Sequence, residues 1–206
     1  MELALLYLKA AGLGVAVAAP VGPMSLLCMR RSLTQGWRFG LATGVGIALA
    51  DGLYAATAAL GLAGVSAFLL AHERPLHLAA GLFLVWLGVK AFRTSDAGTP
   101  TEDGRAAASW RSAFGSALML TLTNPPTIIT FAAIFAALAP RAGFDRGTAL
   151  ATVSGVFTGS LLWWCGIVAA VLAFRHVLGE RTRVWVDRCA GMALGLFGVV
   201  ELGRAL

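Results

Sequence analysis

A single acidic residue, Asp51, stands within an otherwise apolar run, Gly44-Val45-Gly46-Ile47-Ala48-Leu49-Ala50-Asp51-Gly52. A carboxylate deep in hydrocarbon costs roughly 2.5–3.5 kcal/mol on insertion scales, so it must face an interior, find a partner or carry a proton. Such a group can take up and release a proton or hold a cationic ligand; a structural hydrogen-bonding role is the alternative. Two other apolar runs are interrupted by proline, at Pro20 and Pro23 around Gly22, and at Asn124-Pro125-Pro126. Proline inside a helix removes one N–H and costs roughly 3 kcal/mol. Here the carbonyls of Ala16, Ala19, Thr121 and Leu122 would lose their helical donors. Such groups survive in lipid only where they line protein or a wet cavity. One break reads as a repaired kink, but a matched pair marks a transport site.

Tyr54 follows Asp51 by three residues and so shares its helix face. Trp163 and Trp164 lie mid-run, away from the interfacial belts where tryptophan collects. One of them can floor a substrate cavity, Trp163 being the candidate, although plain helix packing accounts for both at least as well. Enzyme chemistry has little to stand on, because no HExxH, nucleophile elbow or dithiol occurs. Cys28, Cys165 and Cys189 are widely spaced and form no CxxC, so they read as small apolar residues. His72, His77 and His176 fall near expected helix ends without ligand spacing, so no metal and no cofactor is expected. Lys9, Lys90, Glu201 and Arg204 read as residues near span ends whose heads reach the interface.

The elements that must position these residues follow from composition. Of 206 residues, 58% are hydrophobic and 13% charged, with a mean hydropathy of +0.80. Soluble domains carry about 25% charged residues, so this chain cannot cover a water-facing exterior. Apolar runs of about 20 residues suit a bilayer. Six are expected: about Leu3–Met29, Gly40–Leu62, Leu76–Phe92, Ala113–Leu138, Thr148–Phe174 and Val184–Val200. The first lacks a basic n-region and is expected to remain as a span rather than leave as a signal peptide. The bases, net charge +6, sit in short segments without aromatic interleaving, which argues against nucleic acid. Eleven fall on one side of the expected bundle and five on the other. Basic loops stay cytoplasmic, so both termini are expected outside.

An internal repeat organises the spans. Ala80-Gly81 followed by Gly88 recurs as Ala190-Gly191 followed by Gly198. Gly36-Trp37-Arg38-Phe39-Gly40 recurs as Gly143-Phe144-Asp145-Arg146-Gly147, and the Pro20–Pro23 break is answered by Asn124–Pro126. Under this register Asp51 corresponds to Ser160 and Tyr54 to Trp163. The expected fold class is an all-α integral membrane protein of six transmembrane helices. Residues 1–92 form a first three-helix repeat, 93–112 a polar cytoplasmic loop, and 113–206 a second, inverted repeat. An odd number of spans per half inverts the second half, as transporters require for alternating access. Small-residue faces at Gly40, Gly44, Gly46, Gly52, Gly155 and Gly159 allow close helix contacts within one chain or in a homo-oligomer.

Together these residues resemble the LysE/RhtB family of amino-acid exporters. Ala19-Pro20-Val21-Gly22-Pro23-Met24-Ser25 is similar to its Pro-Gly-Pro signature, with Val21 in place of the first proline. Arg30-Arg31-Ser32-Leu33 with Gly36 resembles its basic first loop. The segment ending at Asp51 resembles its second-helix glycine and aspartate motif, and Asn124-Pro125 its Asn-Pro motif; Pro126 stands where many members carry lysine. The resemblance implies proton-driven export of amino acids or derivatives across the bacterial inner membrane. The expected partners are then a small-molecule substrate, protons and the lipid bilayer. A metal-ion or other small-metabolite transporter of related architecture is the alternative, and it would want more intramembrane acids or histidines than Asp51.

Overall fold

Helices follow from the long Ala-, Leu- and Val-rich runs, and their ends follow from the residues between. The structure, a computed structural model, describes residues 2–20, 22–59, 72–96, 109–124, 127–131, 145–174 and 180–205. The described residues form α1 (Glu2–Ala18), α2 (Pro23–Thr34), α3 (Trp37–Ala59), α4 (Glu73–Asp96), α5 (Trp110–Leu122), α6 (Arg146–Phe174) and α7 (Glu180–Ala205), with further helical residues at 127–131. Among them there is no strand.

The punctuation is chemical. Gly36 adopts φ +94°, a conformation open to glycine at little cost, and so lets α2 turn directly into α3. Ser109 caps α5, its Oγ accepting from the Arg111 N–H at 3.2 Å. Asp145 caps α6, its Oδ1 accepting from the N–H groups of Gly147 at 2.7 Å and Thr148 at 3.0 Å. The Thr148 bond is the main reason that this exposed carboxyl is held below its usual range. Trp37 and Trp110 open α3 and α5 in exposed positions. The guanidinium of the following arginine, Arg38 or Arg111, lies 5.4 Å from each ring centroid.

Two described helices, α3 and α6, are long and apolar enough to cross a membrane, and α1 with α2 make a third if that pair, bent by 83°, is one span. Large apolar side chains such as Leu53, Leu82, Leu150, Leu162 and Val199 point outward, as a lipid-facing exterior requires. In the apolar stretch of α3 61% of residues are buried, against 28% in α6, so α3 is the more central helix.

Helix packing rests on glycines that admit a neighbouring backbone. A Cβ on Gly46 of α3 would meet the Phe114 carbonyl of α5 at 2.6 Å, the Leu118 nitrogen and the Ala117 Cβ. A Cβ on Gly155 of α6 would meet the same set on α1: the Tyr7 carbonyl at 2.6 Å, the Ala11 nitrogen and the Ala10 Cβ. Gly81 of α4 stands against Gly198 of α7, and Gly88 of α4 against Gly191 and Gly195. The rising numbers on one helix meet falling numbers on the other, so α4 and α7 run antiparallel. By the same reading α1 runs parallel to α6 and α3 parallel to α5.

At one end of the bundle, Arg31 closes α2. It donates to Thr43 Oγ1 at 3.0 Å, the Ala113 carbonyl at 2.9 Å and Ser116 Oγ at 2.9 Å. One buried guanidinium thus joins the end of α2 to the starts of α3 and α5, using the planar fork of N–H donors that arginine carries.

The close approach at Gly155 sets a stability test. Gly155→Ala is expected to lower the melting temperature in detergent, with an overpacking cost of about 1–3 kcal/mol. Gly166, also in α6, has nothing within 4 Å of an added Cβ, and Gly166→Ala should leave the melting temperature unchanged or raise it, since alanine is favoured in helices by roughly 1 kcal/mol. Equal behaviour of the two variants would refute the tight α1–α6 contact.

Candidate functional site

A cavity of about 570 Å³ lies where the helical order lapses between α1 and α2. Ala18 ends α1 and Pro23 opens α2. Gly22 between them is extended (φ −141°, ψ −167°) and brings no side-chain cap to α2. The first N–H groups of a helix have no intrahelical acceptor and carry partial positive charge. Here the α2 start, Gly22 to Ser25, forms part of the cavity wall. The Ser25 hydroxyl turns back to donate to the Pro20 carbonyl at 3.3 Å.

The end of α5 forms another part. Asn124 lies outside the helix, and its side-chain amide donates to Thr127 Oγ1 at 2.8 Å. Thr121, Asn124, Thr127 and Thr130 all line the cavity. The Leu122 carbonyl, expected from the sequence to lack a helical donor, accepts from the Tyr54 hydroxyl at 2.6 Å. The Tyr54 ring stacks on Phe131 with centroids 5.4 Å apart. Tyr54 therefore holds the α5 end in place and does not line the cavity.

Asp51 reaches the same cavity from α3 while only 3% exposed. Its Oδ2 accepts from Ser160 Oγ of α6 at 2.6 Å. Of the candidate residues, then, Pro20, Gly22, Pro23, Asp51 and Asn124 converge on one space. Pro125 lies outside the described residues. Trp164 rather than Trp163 lines the cavity, while Trp163 packs beside the core. The indole N–H groups of both are buried without a hydrogen-bond acceptor.

The fourth wall is α7, where Arg204 lies in the last turn with its side chain half exposed, while Glu201 and His77 depart from the reading of heads that reach the interface. Glu201 and His77 are buried. His77 Nδ1 of α4 and Glu201 Oε2 are 2.5 Å apart, and Arg204 Nη1 donates to Glu201 Oε1 at 2.9 Å. Glu201 and Arg204 line the cavity. A buried ion must be paired and hydrogen-bonded to be tolerated, and this glutamate has a partner on each oxygen. Helix geometry could have revealed the pair, because His77 is four residues before Gly81 and Glu201 three after Gly198. On helices that meet antiparallel at those glycines, both side chains fall on the contacting faces.

Removal of the Tyr54 hydroxyl is expected to expose the α5 end. Tyr54→Phe keeps the ring stack on Phe131 and orphans the part-buried Leu122 carbonyl, at a cost of up to about 1–3 kcal/mol. Thermal unfolding of the purified variant measures it, and an unchanged melting temperature would show that the carbonyl finds another donor.

The chain's relatives bear on this arrangement. The sequence profile described as "LysE type translocator" matches residues 15–203. The chemotactic transduction protein ChpE of Pseudomonas aeruginosa is 33% identical, over 96% of this chain and 98% of its own. The uncharacterized membrane protein YahN of Escherichia coli is 28% identical, over 86% of this chain and 80% of its own. The threonine efflux protein of Salmonella typhi is 26% identical, over 90% of this chain and 91% of its own. No solved structure matches.

Proposed function

The chain belongs to the LysE type translocator family, and from that premise we propose that it exports amino acids or their derivatives across the bacterial inner membrane by proton-coupled alternating access. Members of the family are transporters rather than enzymes. The observation that carries the proposal is the shared cavity: the start of α2, the end of α5 and the buried Asp51 meet in one space.

The chemistry of that space suits a zwitterion. The uncapped α2 start attracts a substrate carboxylate, as helix N-termini do for anions. Asp51 and the carbonyls near the breaks accept from an ammonium group, and Asp51 also offers a site for the coupling proton. Pro20, Gly22, Pro23, Asn124 and Pro125 shape the breaks, Tyr54 supports the α5 end, and Trp164 takes the floor position for which Trp163 was the other candidate. The name of the Salmonella relative, a threonine efflux protein, is in keeping with an amino acid as substrate.

Six spans in two inverted halves, residues 1–92 and 113–206 about the loop 93–112, supply the alternation. Three observations support that architecture. Gly46 on α5 and Gly155 on α1 make the same three contacts, at positions 109 residues apart on one side and 107 on the other. Gly81 with Gly198 and Gly88 with Gly191 are reciprocal under the repeat register. Asp51 and its counterpart Ser160 bond each other, in keeping with a symmetry axis that passes beside them. The ends of α2, α3 and α5 that gather at Arg31 carry Arg30, Arg31, Arg38 and Arg111. Their charge supports a cytoplasmic position for that end, with both termini outside.

Efflux from cells loaded with amino acids provides the test, with wild type, Asp51→Asn and an empty vector expressed to equal levels. Faster loss of particular amino acids with wild type, abolished in Asp51→Asn, is the expected result. Wild-type efflux by the variant would remove Asp51 from the mechanism. Indistinguishable efflux from wild type and vector for every amino acid would remove the substrate class.

A further inference from the structure

The α7 wall of the cavity carries a group that the transport scheme leaves unused. Among the described lining residues Arg204 is the one base. Its side chain is 54% exposed, and its single recorded bond runs from Nη1 to Glu201. Glu201 is itself held from the other side by His77 across the α4–α7 contact. His77 holds Glu201 and Glu201 holds Arg204 through Nη1, while the other guanidinium N–H groups have no partner among the described residues. A planar guanidinium presented this way is matched to a carboxylate, which it can engage through two parallel hydrogen bonds.

The rest of the α7 wall is apolar. Leu196, Phe197 and Val200 stand beside Arg204, and Met24 and Ile47 contribute from α2 and α3. A ligand whose carboxylate meets Arg204 would lay its remaining part on these side chains, where a charged side chain would lose hydration without a partner.

We infer that Arg204, oriented by Glu201 and His77, is a specificity-determining residue that selects substrates bearing a free carboxylate and an uncharged, largely apolar side chain. The inference rests on the cavity being the export route. It goes beyond that reading by naming the substrate class and a recognition residue on α7. Arg204 contacts the substrate, whereas Glu201 and His77 are positioning residues.

The test compares binding of leucine, leucinamide and lysine to purified full-length protein in neutral-lipid nanodiscs, by isothermal titration calorimetry. Leucinamide keeps the ammonium and side chain of leucine but lacks the carboxylate. Wild type should bind leucine more tightly than either of the others. Arg204→Gln should weaken leucine by about 10-fold or more, the scale of a lost charge-assisted hydrogen bond, and leave leucinamide nearly unchanged. Arg204→Lys should recover only part of the preference, and Glu201→Gln should reduce it while all variants still elute as folded protein.

Equal weakening of leucine and leucinamide in Arg204→Gln would overturn the inference, because a merely structural arginine affects both alike. Repeating the titrations with anionic lipid separates the other source of the same chemistry, a lipid phosphate. An Arg204 effect confined to anionic nanodiscs, with the leucine-to-leucinamide ratio unmoved in neutral ones, would also overturn it. Failure of Asp51→Asn to bind any ligand alongside an intact Arg204 effect would support both readings. Export of amino acids in cells without an Arg204-dependent carboxylate preference would sink the inference alone, and wild-type protein that neither binds nor exports any amino acid would sink both.

Discussion

Close approach of backbones at glycine is the constraint on which the bundle depends. Lipid offers helices no hydrophobic reason to associate with one another, so contact area and polar bonds must hold them together. At Gly46, Gly155 and the Gly81–Gly198 crossing, a side chain as small as methyl would strike backbone atoms at 2.6 to 2.9 Å. These contacts bring α3 to α5, α6 to α1 and α4 to α7. Once they form, the polar groups that bridge helices are brought within reach: Arg31 to Ala113, Asp51 to Ser160, and His77 to Glu201.

Polar bonding between helices is consequently long-range in sequence and short in space. Arg31 and Ser116 are 85 residues apart, Asp51 and Ser160 are 109, and His77 and Glu201 are 124. Each bond removes the desolvation cost of a group that lipid would not tolerate alone. The cavity is one place where this satisfaction is left incomplete among the described residues. There the start of α2 has no cap and Arg204 is half open, so a ligand has partners to find.

Much of this was legible in the residues. The helical class followed from hydropathy, and Asp51 stood out because no hydrophilic neighbour explained it. The proline-rich segments drew attention to both ends of the cavity, since loss of a backbone donor is a local property of sequence. The α7 wall was not legible in the same way. Glu201 and Arg204 lie near the end of an apolar run, where a charged head normally reaches the interface. Only the antiparallel crossing of α4 and α7 shows that His77 meets Glu201 instead. Adjacent tryptophans posed a similar limit: Trp163 and Trp164 differ by 100° around a helix, and the packing of α3 against α6 decides which of them meets the cavity. Spacing puts Tyr54 on the Asp51 face, yet its partner, a carbonyl of α5, depends on a contact 68 residues away.

The Asp51–Ser160 bond has one more consequence. A hydroxyl both gives and accepts a hydrogen bond. When Asp51 is charged, Ser160 gives its proton to the carboxylate; when Asp51 is neutral, the carboxylic acid can give its own to the serine oxygen. The same two atoms stay joined in both states, with the direction of the bond reversed. A lysine or arginine in that place would be bonded strongly to the charged form and much more weakly to the neutral one. Under the proposed proton coupling, the α3–α6 contact would thus remain mechanically intact as Asp51 gained or lost its proton, and the charge in the cavity wall would change without first pulling two helices apart.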